Sequence, residues 1–121
     1  MKKIPFFLPL LLTLTLLFSC SKPNQIEFIV ENDTETQIDS VRVYPSGYDM
    51  GYYHTIQSGK NQSIVVDMSD IPTHDGDYTL EYKIKSDTLN EVKFGYYTNG
   101  FALEDRITIS IQQDSILYSY D

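Results

Sequence analysis

The residues able to carry acid–base or ligand chemistry in this chain are His54 and His74, the lone Cys20, and 17 carboxylates. A histidine becomes catalytic beside a nucleophile and an orienting carboxylate. No Gly-x-Ser-x-Gly elbow and no His-Glu-x-x-His pattern surrounds either histidine. His74, Asp75 and Asp77 are near enough in sequence to share a cation. A calcium loop, however, wants acids at alternate positions, then glycine, then a distant glutamate, and that order is missing. Asp75-Gly76 reads more simply as a turn before a strand. So many acids leave a glycosidase-like pair open, but no Gly-rich phosphate loop is present. We assign no catalytic residue, no metal and no cofactor, and expect a non-enzymatic domain.

Ten tyrosines and no tryptophan make recognition the more natural chemistry. Tyrosine joins apolar area to a polar tip and is enriched where proteins meet partners. Tyr44, Tyr48, Tyr52 and Tyr53 cluster around a loop that contains Gly47 and Gly51. Tyr97 is opposite in phase to Tyr96, near Asn99-Gly100. If that loop and the Asn99 turn share one end of the domain, Tyr48, Tyr52, Tyr53 and Tyr97 form a binding patch. The alternative is that these tyrosines only shield sheet edges.

The elements that must position them follow a period of two. Ile26, Phe28 and Val30 alternate with Glu27 and Ile29, and Asn32 to Thr36 is a polar turn. Further strands are expected over 38–44, 52–57, 63–68, 78–85, 91–97, 107–111 and 116–120. Tyr78, Leu80, Tyr82 and Ile84 share one face of the clearest strand, with Thr79, Glu81, Lys83 and Lys85 on the wet face. Val92, Phe94 and Tyr96 are in phase as core residues. Turn signals at this spacing predict an all-β fold. We expect a small antiparallel Greek-key β-sandwich of about seven to eight strands, immunoglobulin-like or transthyretin-like. Asp75-Gly76-Asp77-Tyr78 resembles the tyrosine corner of such sandwiches, which implies a Tyr78 hydroxyl bonded back to the backbone.

Ahead of the strands, Lys2 and Lys3 precede an apolar run from Ile4 to Phe18. That run is too short to span a bilayer, which takes roughly 20 residues, and it has the form of a secretory signal. Leu17-Phe18-Ser19-Cys20 resembles the lipobox of bacterial lipoproteins, with Phe18 a less common occupant of its place. The resemblance implies cleavage before Cys20 and diacylglyceryl modification of its sulfur. The domain plan is then a signal peptide over 1–19, the lipidated Cys20 with a short tether over 20–25, and the β domain over 26–121. Two or three acyl chains hold a protein on a membrane where one does so only reversibly. Ser21, in place of an aspartate, implies outer-membrane sorting by the same resemblance. The acidic cluster that some Bacteroidota surface lipoproteins carry just after the cysteine is missing from 21–25, and the comparison implies a periplasm-facing anchor. A plain secretory signal is the other reading of residues 1–20. With no second cysteine, no intrachain disulfide forms.

Asp39-Ser40-Val41, Asp87-Thr88-Leu89 and Asp114-Ser115-Ile116 resemble the O-glycosylation acceptor of Bacteroidota, which implies Ser40, Thr88 and Ser115 as glycan sites. Such sites must be exposed.

Loss of residues 1–19 removes two lysines, leaving 7 basic against 17 acidic residues and a formal charge of −10. That argues against nucleic acid as a partner and against electrostatic binding to an anionic lipid surface. It favours solubility and permits a basic partner. The sequence therefore predicts an envelope lipoprotein, joined to the membrane by lipid on Cys20, whose sandwich binds or scaffolds another envelope protein. The alternatives are an acidic inhibitor or immunity lipoprotein directed at a basic cell-wall hydrolase or toxin, and a glycan-binding module using Tyr48, Tyr52 and Tyr53.

Overall fold

The computed structural model describes residues 22–85 and 88–121. The expected signal segment, Cys20 and Ser21 lie outside the described residues, as does Asp87 of one candidate glycosylation tripeptide. Among the described residues nine strands follow in order: β1 (Gln25–Asn32), β2 (Ile38–Pro45), β3 (His54–Ile56), β4 (Asn61–Asp67), β5 (Gly76–Ile84), β6 (Asn90–Thr98), β7 (Phe101–Ala102), β8 (Arg106–Ile111) and β9 (Ile116–Tyr120). They form two sheets, ordered β4-β1-β8-β9 and β3-β2-β5-β6-β7. The all-β sandwich expected from alternation is present.

Alternation explains the core. Ile26, Phe28 and Val30 of β1, Ile64 and Val66 of β4, and Ile107, Ile109 and Ile111 of β8 point inward from the first sheet. Val41, Val43, Tyr78, Leu80 and Phe94 meet them from the second. An aromatic seam runs through the interior: Phe28 packs edge-on to Tyr78 with ring centroids 5.0 Å apart, and Phe94 stacks on Tyr118 at 5.0 Å. Such pairs add about 0.5–1.5 kcal/mol each beyond the area they bury.

The structure corrects the sequence reading at several points. One pair, β1 with β8, is parallel, while the others are antiparallel. A ninth strand, the two-residue β7, hydrogen-bonds to β6. Tyr97 is the core residue at 1% exposure, and Tyr96 is 47% exposed. The cause is a bulge at Gly95: the β5–β6 register shifts between Gly76↔Tyr97 and Tyr78↔Phe94. Gly95 has φ +67°, and a Cβ there would lie 2.9 Å from the Tyr78 ring, so only glycine fits without strain. The tyrosine corner is absent, because the buried Tyr78 hydroxyl has no hydrogen-bond partner. Burial pushes its pKa up.

The polar turn after β1 is also more than a surface turn. Asn32 is fully buried and donates to the carbonyls of Thr36 (2.8 Å) and Ile56 (2.9 Å), while its Oδ1 accepts from Thr34 N (3.1 Å) and Thr34 Oγ1 (2.6 Å). Every group is satisfied, as a buried amide requires.

Strand register defines two ends of the sandwich. At the entry end lie Asn24 and Gln25, the end of β4, the loop from Met68 to Asp75, the β6–β7 turn and the chain around Asp105. At the far end lie the Asn32 turn and the β3–β4, β5–β6 and β8–β9 connections. The tether expected over 20–25 is already docked at its last residues. Asn24 Nδ2 donates to the carbonyls of Gly100 (3.0 Å) and Met68 (3.3 Å), and Gln25 opens β1.

Candidate functional site

A cleft of about 550 Å³ opens at the entry end, lined by Ser46, Gly47, Tyr48, His74, Asp75, Gly76, Asp77, Gly95, Tyr96 and Tyr97. Three segments build it: the turn after β2, the β4–β5 loop, and the β6 bulge. Tyr48 leaves the turn that Pro45-Ser46-Gly47 makes, with Tyr48 N bonded to the Pro45 carbonyl at 3.0 Å. The Gly95 bulge inserts one residue and so turns Tyr96 outward into the cleft wall. Gly76 forms part of the floor, where a Cβ would collide with the Tyr97 hydroxyl.

The polar groups of the cleft are joined in a short relay. His74 Nδ1 lies 3.3 Å from the Asp75 carbonyl, which can only accept, so Nδ1 carries the proton. In that tautomer of the neutral ring Nε2 accepts from the Tyr48 hydroxyl at 2.9 Å. The two rings stack at 6.3 Å with an interplanar angle of 25°. Asp75 accepts from the Tyr96 hydroxyl (2.7 Å) and from Asn99 N (3.1 Å). Those two bonds, the Tyr96 one first, hold the Asp75 carboxyl below its ordinary value, and the Tyr96 phenol is raised in return. Asp77 is half-buried at the cleft, and its backbone carbonyl receives Ser46 N at 2.9 Å. The arrangement offers two aromatic walls and two carboxylates, with no lysine or arginine in the lining. A lining of this kind suits a cationic or hydroxyl-rich group.

A second polar cluster covers the outer face of the second sheet, where the sequence placed a wet surface. Arg42 and Glu81 are cross-strand partners in β2 and β5. Arg42 Nε donates to Glu81 Oε2 at 2.9 Å, and Arg42 also pairs with Asp49. The Tyr44 hydroxyl donates to Glu81 Oε1, and the Tyr53 hydroxyl to Oε2 at 2.6 Å. The guanidinium carbon stands 4.7 Å from the ring centroids of both Tyr44 and Tyr53. Glu81 is only 5% exposed. The Arg42 hydrogen bond, helped by the two phenols and opposed by burial, brings its pKa down to about 2. Burial, then the bond to Glu81, pushes Tyr44 up to about 12. Every Glu81 oxygen is engaged, so this cluster latches the Asp49–Tyr53 segment onto the sheet.

The four tyrosines proposed as one patch are thus divided. Tyr48 and Tyr97 line the cleft, Tyr97 with its ring buried. Tyr53 belongs to the Glu81 latch. Tyr52 is 86% exposed and lines neither. His74, Asp75, Asp77 and Tyr96 join the cleft without having been assigned to it. Gly76 and Gly95 were the available signal, since each lets a neighbour approach closely. His54 stands in β3 opposite Val41 and does not line the cleft. Among the described residues no group of His, Cys, Asp and Glu is arranged to hold a metal ion. Thr88 and Ser115 are exposed in far-end connections, whereas Ser40 is half-buried in β2, paired with Lys83. No helix among the described residues is long and apolar enough to cross a membrane.

Comparisons with family models, with curated proteins and with solved structures return no match for this chain.

Proposed function

We propose that this chain is an envelope lipoprotein, lipidated on Cys20 and held at the periplasmic face of the outer membrane, whose sandwich is a non-enzymatic binding module. Its ligand is a basic side chain of another envelope protein, received by the entry-end cleft. The observation that carries the reading is the cleft lining: Tyr48 and Tyr96 beside Asp75 and Asp77, with no lysine or arginine among them. A lysine or arginine is attracted by the aromatic faces as well as by the carboxylates. The mature charge of −10 steers such a partner from a distance. The same surface suits an inhibitor of a basic hydrolase, a narrower form of this reading. A glycan-binding role is favoured by one observation, that aromatic rings flank carboxylates able to accept from sugar hydroxyls.

A photo-crosslinking residue at position 48, introduced into the lipidated protein in its native envelope, tests the proposal. The expected result is one dominant protein adduct that fades as salt rises and is lost in Asp77→Asn. A salt-insensitive adduct with polysaccharide would favour the glycan reading. No adduct at position 48, with adducts from a probe at Gln113, would end the cleft proposal.

A further inference from the structure

Beyond the cleft's ligand, the fold says how the domain stands on its membrane. Lys22 and Asn24, the first described residues with side-chain partners, are fastened to the entry end. Lys22 pairs with Asp105, and Asn24 donates to the Gly100 carbonyl. Cys20 precedes Lys22 by two residues, so chain length keeps its Cα within about 7 Å of the Lys22 Cα. Between Gly100 and Asp105, two of the residues that hold this exit, stand Phe101 and Leu103, 58% and 57% exposed. Phe101 pairs with Thr98, and Leu103 follows directly after the end of β7. Scattered exposed apolar residues need no explanation. Two of them flanked on both sides by contacts to the exit segment do.

We infer that the entry end is apposed to the lipid surface and that Phe101 and Leu103 enter its interfacial layer beside the anchor. The inference rests on the lipoprotein reading above. The occupant is a zwitterionic lipid surface, because Lys22 is paired and the neighbouring Asp105 and Asp121 would be repelled by an anionic one. Apolar and aromatic side chains at the headgroup level add binding in proportion to the area buried. One acyl-anchored point leaves a domain free to swing, and a second contact beside it fixes its tilt. The cleft is at the same end, so its partner must also approach close to the bilayer. The Asn32 turn and the exposed Thr88 and Ser115 then point away from the membrane.

The chain has no tryptophan, so a single substitution makes a unique reporter. Lipidated protein carrying Phe101→Trp, Leu103→Trp or Gln113→Trp is placed in vesicles of phosphatidylcholine and phosphatidylethanolamine, with or without brominated acyl chains. The expected result is strong quenching by bromine and a blue shift at positions 101 and 103, with neither at 113. In the unsubstituted protein, amides of residues 100–105 should exchange more slowly on vesicles than in detergent. Protein that floats with the vesicles but shows no quenching at 101 and 103 and no added protection overturns the inference alone. Equal quenching at 113 overturns it as well. Protein that does not float, with an unmodified Cys20 by mass, overturns the anchor reading and the inference together.

Discussion

Among the described residues two carboxylates take hydrogen bonds from tyrosine, and they do opposite things. Glu81 receives Tyr44, Tyr53 and the Arg42 guanidinium and is 5% exposed. Asp75 receives Tyr96 and the Asn99 amide at an exposed loop. In the first case a returning segment covers the carboxylate and all its acceptor sites are used. In the second the carboxylate holds the wall of a cleft and stays open to solvent. The difference is burial, not residue type. A buried charge must be fully partnered to persist, which makes Glu81 structural. An exposed one costs little to hold and can exchange water for a ligand.

The comparison can be broken from the Glu81 side first. Arg42→Ala leaves a carboxylate buried without its cation and should cost about 3–5 kcal/mol, read as a lower urea midpoint. Replacing both partners, Arg42→Met with Glu81→Leu, should cost clearly less than the single change. If the double variant is as unstable as Arg42→Ala, the lone charge is not the cause.

Acid should act next. The Glu81 carboxyl titrates near 4.5 when unfolded and at about 2 in the fold. Its ionised form therefore stabilises the native state. That contribution is complete above about pH 4.5 and is lost as pH falls through the folded value, on the order of 3 kcal/mol in all. Stability measured from pH 6 down to 2 should fall in Glu81-containing protein and be flatter in Glu81→Gln. Parallel curves would contradict the assignment.

Gly95→Ala tests the link between bulge and cleft. The strained φ and the close Tyr78 ring predict a cost of about 1–3 kcal/mol. Tyr96 should leave Asp75, visible as a change in its ring resonances. Smallest of all is Tyr96→Phe. At an exposed site it should change stability by less than about 0.5 kcal/mol, while weakening capture of the basic partner proposed above. A large stability loss there would make the cleft structural, like the latch.

The strand positions and the inward residues of β1, β4 and β8 were legible because alternation is local and needs only a period of two. Three features were not. Tyr96 and Tyr97 exchange roles because one extra residue at Gly95 inverts every later side chain, and a one-residue slip leaves no trace in hydropathy. Glu81 reads as solvent-facing because its burial depends on Tyr53, 28 residues earlier, folding back across the sheet. Asn32 reads as an ordinary turn residue because its acceptors at Ile56 and Thr36 come from a separate strand and a later turn.

By itself the sequence determined the all-β class, the faces of the regular strands, the acidic character and a lipobox-like start, for each of these is a matter of composition or nearest neighbours. The tertiary structure decided which tyrosines meet. It brought Tyr48 to His74 and Tyr96 to Asp75, carried Tyr53 to Glu81, and set the chain's exit beside Phe101 and Leu103. Those pairings join residues far apart in the chain, and only the register of two packed sheets chooses among them.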